Sequence, residues 1–356
     1  MSEAAPGLIT VFGGSGFVGS QVVQDLARRG WRIRVAVRRP DKAWKLQTSG
    51  HVGQIQAVRC DASDPAQVEA ALQGADAAIN LIGVLYEAGS RSFQAMHVDA
   101  ARNIAAACAA GRGGRLVHVS AIGANPESAS KYACTKAAGE MAVREVKPDA
   151  VIIRPSIMFG AGDDFLNRFA AMASMSPFLP LIGGGRTRFQ PVYVGDVAEA
   201  ITRAVERPDA AGRTFELGGP EVMTFEEVLK LVLRETRRGN GLIPLPFPLA
   251  RAIGSAAQLS SLVGIPPVLT RDQVVSLESD NVVAEGAEGL AELGVEPTGV
   301  EAIAPSYLWR YRRGGQFSQR PATACGVNAP PAPPDRRGRR GRRRYATRRR
   351  GRSRGG

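Results

Sequence analysis

Residues 8–19, LITVFGGSGFVG, limit what this chain can become more than any other stretch. Leu8, Ile9, Thr10, Val11 and Phe12 are apolar or β-branched, the composition of a buried strand. They run directly into Gly13-x-x-Gly16-x-x-Gly19, and Ser20–Arg29 then carries a helical pattern. Strand, glycine turn and helix in that order make a phosphate cradle. The first glycine allows the tight turn, the second lets backbone approach a pyrophosphate, and the third lets the helix pack on the strand. The anion would meet unpaired N–H groups and the positive end of the helix. The expectation is an α/β fold that holds a nucleotide cofactor on its first crossover.

The rest of the first half repeats the alternation. Strands are expected at Arg32–Val37, Gln54–Val58, Ala77–Ile82, Arg115–Ser120 and Ala150–Arg154, with helices at Pro65–Leu72, Phe93–Ala110 and Tyr132–Val146. Such spacing implies a Rossmann-type, doubly wound parallel sheet with right-handed crossovers. Residues 1–160 read as this core. The pattern loosens over 161–315, a small C-terminal lobe with a return to the core near 186–220, of which Gln190–Val194 looks like the re-entry. Helices are expected near Phe165–Met175, Phe225–Arg234, Thr270–Leu277 and Val300–Arg312. The proline-punctuated apolar stretch Leu242–Val268 reads as core, with a partner-facing or lipid-facing surface as the alternative.

A net charge of +13 suggests nucleic acid until it is located. Residues 336–356 hold twelve arginines and no acid, which leaves about +1 for everything else. The prolines at 330–334 and the Arg/Gly repeats after them, within 316–356, cannot bury apolar surface and read as a disordered tail. Attraction to an anionic membrane or to nucleic acid is the contact this tail would offer. Cys60, Cys108, Cys134 and Cys325 have no metal-site or disulfide spacing, which fits a reducing compartment and no metal. The first strand begins within ten residues of Met1, which leaves no room for a leader, and no apolar run is long enough to span a membrane. The reading is a cytoplasmic protein, with a place on the cytoplasmic face of the inner membrane left open.

Several positions carry possible chemistry. Arg38 and Arg39 end the second strand, where arginine suits a 2′-phosphate and an acid would suit the free ribose hydroxyls, so NADP(H) is favoured over NAD. Asp61 follows the third strand, placed to accept from an adenine amino group. Asn80-Leu81-Ile82-Gly83 ends the fourth, where small Gly83 lets a cofactor pass closely. Tyr132 and Lys136 lie at i and i+4 on one helix face. A neighbouring ammonium is expected to lower the phenol's pKa, so that it can exchange a proton with a carbonyl or alcohol. His118 reads as a satisfied core histidine, and Asp163-Asp164 as a loop and helix cap.

TVFGGSGFVG, RCDASD, NLIG, HVSAIGA, YACTKAAGE and RPSIMFG together resemble the extended short-chain dehydrogenase/reductases. More narrowly, HVSAIGANPESASKYACTKAAGE, RPSIMFGAGDDFLNRFA and QPVYVGDVAEAI resemble the NADPH-binding 39-kilodalton accessory subunit family of respiratory complex I, over roughly residues 7–315. The resemblance implies cofactor contacts at Gly13, Gly16, Gly19, Arg38, Asp61, Asn80, Tyr132, Lys136 and Pro155, with Phe17 and Arg39 beside them. It also implies that Lys136 bonds the nicotinamide ribose, and complex I subunits or another membrane-peripheral partner. A catalytic set would be Tyr132, Lys136 and Ser120. Active members usually carry consecutive hydroxyl residues here, whereas Ser120 is followed by Ala121 and Ile122. Either Ser120 serves from its early place in the loop, or the third member is absent. The second reading implies a structural cofactor. The first implies a working NADP-dependent reductase, dehydrogenase or epimerase.

Overall fold

Apolar β-branched segments separated by amphipathic ones leave the chain one economical solution, a sheet covered on both faces. In the computed structural model the described residues are 7–315, apart from 88, 90 and 259–268. In chain order the first half gives β1 (Leu8–Phe12), α1 (Phe17–Arg28), β2 (Arg32–Val37), β3 (Ile55–Arg59), α2 (Pro65–Leu72) and β4 (Ala77–Asn80). A π-helical turn, Gln94–Asp99, then leads into α3 (Ala100–Ala109), followed by β5 (Arg115–Val119), α4 (Lys131–Val146) and β6 (Val151–Pro155). The second half contributes β7 (Met158–Phe159), α5 (Leu166–Met175), β8 (Phe178–Ile182), β9 (Arg188–Phe189), β10 (Val192–Tyr193), α6 (Val194–Glu206) and β11 (Thr214–Leu217). It ends with β12 (Met223–Thr224), α7 (Phe225–Thr236), β13 (Gly241–Leu245), α8 (Phe247–Gln258), α9 (Arg271–Ser276) and α10 (Val300–Leu308).

Seven strands form one parallel sheet in the order β3-β2-β1-β4-β5-β6-β11. The order reverses between β1 and β4, and ligands of open α/β sheets bind at such a reversal, beyond the carboxyl ends of the strands. One face of the sheet, with Ile9, Val11, Val35, Ile79, Val117 and Ile153, packs on α1 and α6. The other, with Phe12, Ala78, Leu116 and Ile152, packs on α2 and α3. Alanines at 100, 101, 105 and 107 bring α3 close to the sheet. Gly139 does the same for α4, since a β-carbon there would stand 2.2 Å from the carbonyl oxygen of His97 in the π-helical turn.

Gln190–Val194 returns to the core without joining the main sheet: Val192 is buried in the same cluster as Ile9 and Val117, while β10 itself pairs with β7. The strand that rejoins is β11, in parallel with β6. The proline-punctuated stretch from Leu242 divides between a strand and a helix. Residues 241–245 pair in parallel with β8, and α8 starts at Phe247 with Pro248 in its first turn, where a missing N–H costs no helical hydrogen bond. The remainder of the apolar stretch, 259–268, and the Arg-rich tail lie outside the described residues.

Polar contacts tie the later elements to the sheet. Arg154 on β6 reaches Glu140 on α4 at 2.7 Å and Glu216 on β11 at 3.2 Å. Asn281 accepts from the Ser156 hydroxyl at 2.7 Å and the Ile157 N–H at 3.0 Å, and donates to the Ile122 carbonyl. Phe165, Phe169, Phe189 and Phe225 pack edge to face or tilted in the second half.

Candidate functional site

A cavity of about 920 Å³ opens at the reversal point, lined by Gly13 and Gly16, by Arg38 and Asp61, and by Ile82 and Gly83. The glycine turn below it is sterically closed. Gly13 adopts φ +76° against Leu81, and a β-carbon on Gly19 would lie 2.4 Å from the Gly13 carbonyl oxygen. Gly16 is different: a β-carbon there would meet only that same oxygen, at 3.3 Å, so its outer side is open. It is also the residue before α1, and no side chain caps that helix. Open space over uncapped N–H groups fits a pyrophosphate.

The lining of the cavity is cationic. Arg38, Arg39, Lys42, Arg59 and Arg91 all line it, with Asp61 the one carboxylate among its lining residues. None of the five cations forms an ion pair among the described residues. Asp61 accepts from the Ser63 hydroxyl and N–H, and those hydrogen bonds, aided by the charge of Arg38, hold its carboxyl below the usual range. It therefore presents an ionised acceptor.

Lys136 reaches the cavity wall. It is buried, its ammonium donates to the Val119 carbonyl at 3.2 Å, and a β-carbon on Gly83 would sit 3.3 Å from Nζ. Burial pushes its pKa down to about 8. Tyr132 stands behind that wall on an aromatic stack. His97 meets it edge-on at 5.4 Å and Phe93 at 6.1 Å. The His97 ring accepts the Val84 N–H at Nε2 and faces the Thr135 hydroxyl through Nδ1, so the proton sits on Nδ1. Burial and the Lys136 charge keep this ring neutral, with its pKa pushed down to about 3.

The expected activation of Tyr132 is not what the geometry produces. Burial, and after it the charge of Asp272, push the phenol up to about 12 instead of down. Ser120 is no closer to service: its hydroxyl is buried and has no hydrogen-bond partner, Tyr132 included. Asn80 stands one step back from the cavity. Its carbonyl accepts the Ile82 N–H and its amide faces His118 Nδ1 at 3.0 Å, so it shapes the loop that carries Gly83. His118 is buried, but its Nε2 has no partner, so it is not the fully satisfied core histidine expected. Pro155 is buried in the sheet, where its carbonyl accepts the Ile122 N–H. Phe17 packs toward Gly160, within 3.5 Å of the place a β-carbon would take. Asp163 does cap: it accepts from Phe165 N and Asn167 N at the start of α5. Among the described residues no cluster of His, Cys, Asp or Glu has the makings of a metal site.

Sequence reasoning did not single out Lys42, Arg59, Arg91, His97 or Asp272. Lys42 ends a single 3-10 turn, Arg59 ends β3 and Arg91 lies outside the named strands and helices, places where a lone cation has no local signature. Asp272 acts across some 140 residues of chain.

Residues 9–218 match the NAD dependent epimerase/dehydratase family. An Arabidopsis thaliana protein, NADH dehydrogenase [ubiquinone] 1 alpha subcomplex subunit 9, mitochondrial, is 37% identical over 86% of this chain and 78% of its own. A ceramide reductase of Caulobacter vibrioides is 30% identical over 75% of this chain and 83% of its own. Among solved structures, an NADPH-dependent quinone oxidoreductase from Escherichia coli complexed with NADPH superposes with a TM-score of 0.65 at 19% identity, covering 85% of this chain and 99% of its own.

Proposed function

Because the chain belongs to the NAD dependent epimerase/dehydratase family, we propose that it is an NADPH-binding accessory or assembly subunit, associated with respiratory complex I or quinone metabolism. Its cofactor is held for structure and is not turned over. One observation carries this reading: the nucleotide cradle is complete while the catalytic set is uncoupled. The glycine turn, the open N–H groups before α1 and the cationic mouth suit a dinucleotide with an extra phosphate. Yet the Ser120 hydroxyl has no hydrogen-bond partner, and the Tyr132 phenol is pushed up instead of down.

A bound nicotinamide cofactor supplies hydride chemistry. The chain's own residues bind and orient. The first N–H groups of α1 take the pyrophosphate, Arg38 and Arg39 take the 2′-phosphate, Asp61 accepts from the adenine, and Lys136 presents an ammonium at Gly83 for the ribose. The relatives' names support the assignment to complex I, and they are mitochondrial subunits by name. No described helix is long and apolar enough to cross a membrane. The exposed apolar side chains Ile243, Leu249 and Ile253 suit a peripheral partner on the inner membrane's cytoplasmic or equivalent face.

Native mass spectrometry of the purified protein tests the reading. One NADPH per chain is expected, unexchanged and unoxidised in the presence of a panel of carbonyls and quinones. A chain that arrives empty and oxidises added NADPH would overturn it. The ceramide reductase relative favours a second reading, an active NADPH-dependent reductase. That reading requires turnover abolished by Tyr132→Phe.

A further inference from the structure

The four N–H groups at the start of α4 are all satisfied, two of them from far along the chain. Ser130, the residue before the helix, accepts from Ala133 N and carries the helical bond from Cys134. The remaining two, Lys131 N at 2.7 Å and Tyr132 N at 3.2 Å, donate to the carboxylate of Asp272 in the first turn of α9. The Ser130 hydroxyl donates to the same carboxylate at 2.9 Å, and Ser276, one turn along α9, donates to the Ser130 oxygen at 3.2 Å. The α9 helix is itself firmly placed. Thr270 and Gln273 form a reciprocal cap at its start, Val274 is fully buried, and α8 lies so close that a β-carbon on Gly254 would stand 2.9 Å from Arg271 N.

The first N–H groups of a helix otherwise offer positive potential to whatever side chain sits beside them. Here a carboxylate takes that potential at the residue that carries the phenol. Around Tyr132 stand Asp272, on its backbone N–H, and the His97 and Phe93 rings; Lys136, one helical turn along, is turned to the Val119 carbonyl, and Glu87 accepts from Phe93 N behind the stack. His97 is neutral and Lys136 spends its ammonium on the Val119 carbonyl, which leaves Asp272 the charge that touches the start of α4.

We propose that Asp272 is a positioning residue that clamps α9 on the Tyr132–Lys136 helix and holds Tyr132 at rest, so that the chain keeps its dinucleotide without using the phenol as an acid or base. The clamp rests on the structural-cofactor reading above and supplies its physical cause. It also places the control of the site in the C-terminal half of the chain.

The test uses the full chain, labelled with 13C at tyrosine Cζ, with the Tyr132 resonance assigned by Tyr132→Phe. At pH 10.5 the ionised fraction of Tyr132 is expected to be a few per cent in the wild type. It should rise about threefold in Asp272→Asn, which removes charge and keeps shape, and further in Asp272→Ala, where α9 loses its anchor. Equal titration in all three proteins overturns the proposal. If the variants do not fold, amide exchange in the wild type decides the clamp. The Lys131 and Tyr132 amides should exchange with solvent at least tenfold slower than first-turn amides usually do, and ordinary exchange there would also overturn it. Cofactor content is read separately by native mass spectrometry. A chain without NADPH defeats the structural-cofactor reading, while the tyrosine titration still decides the clamp.

Discussion

Replacing Gly19 by alanine tests the cradle most directly, because the structure separates two costs that glycine substitutions usually mix. At Gly19 the backbone is ordinary and the cost is collision. The new β-carbon would lie 2.4 Å from the Gly13 oxygen and 2.6 Å from Gly14 Cα, against an ordinary contact of at least 3.4 Å. Both neighbours are backbone, so α1 must withdraw from the turn by about 1 Å, and overpacking of that kind costs about 3 kcal/mol. At Gly53 the reverse holds: φ is +80° and nothing lies within 4 Å, so alanine meets only the left-handed strain, about 1 kcal/mol. For a chain of this size each kcal/mol lowers Tm by roughly 1–2 °C. Gly19→Ala should therefore lose roughly 3–6 °C and Gly53→Ala roughly 1–2 °C. Withdrawal of α1 also takes its N–H groups off the pyrophosphate, so Kd for NADPH should rise at least about tenfold in Gly19→Ala and stay unchanged in Gly53→Ala. Differential scanning fluorimetry and NADPH fluorescence titration give both readouts. Equal Tm losses in the two variants, or an unchanged Kd in Gly19→Ala, would refute the reasoning.

Other expectations follow from the same geometry. Arg38→Gln and Arg39→Gln should each weaken NADPH about fivefold and leave NADH alone, since an exposed charge pair is worth about 1 kcal/mol; isothermal titration at two salt concentrations checks this. Lys136, neutralised in the fold near pH 8 against an ordinary 10.5, should make stability depend on pH. Between those values the unfolded chain binds the extra proton, so stability relative to Lys136→Met is full above pH 10.5. It falls as pH drops toward 8, by on the order of 3 kcal/mol, and is level below that. Denaturant unfolding of the cofactor-free protein at several pH values reads the slope. Arg154→Met should cost about 3 kcal/mol by stranding the buried Glu140 carboxylate, and adding Glu140→Leu should recover much of it.

What the sequence made legible was local. β1, its glycine turn and α1 announce themselves within a dozen residues because turn chemistry and periodicity agree there. The same holds for β2 and its two arginines. β11 escaped because TFEL is four residues long and looks like a strand only once β6 stands beside it. The β8–β13 pair escaped for a similar reason: two proline-bearing segments become strands by meeting each other. At the site, the Tyr132–Lys136 spacing was readable, and the sign of the phenol's shift was not. Helical spacing predicts that the ammonium faces the phenol. The fold turns the ammonium to the Val119 carbonyl and brings in an acid from residue 272.

The late arrival of β11 bears on how the protein is made. Every residue implied to touch the dinucleotide has been synthesised by Pro155, yet at that point β6 is an unpaired edge whose apolar Val151, Ile152 and Ile153 lie in an open strand. Bare edges of that kind recruit other chains. A fragment ending near Gly160 would thus carry a full nucleotide motif and tend to aggregate, whereas one reaching past Leu217 closes the edge. On the ribosome, where domains fold as they emerge, the motif must wait for some sixty further residues before the sheet beneath it is shielded.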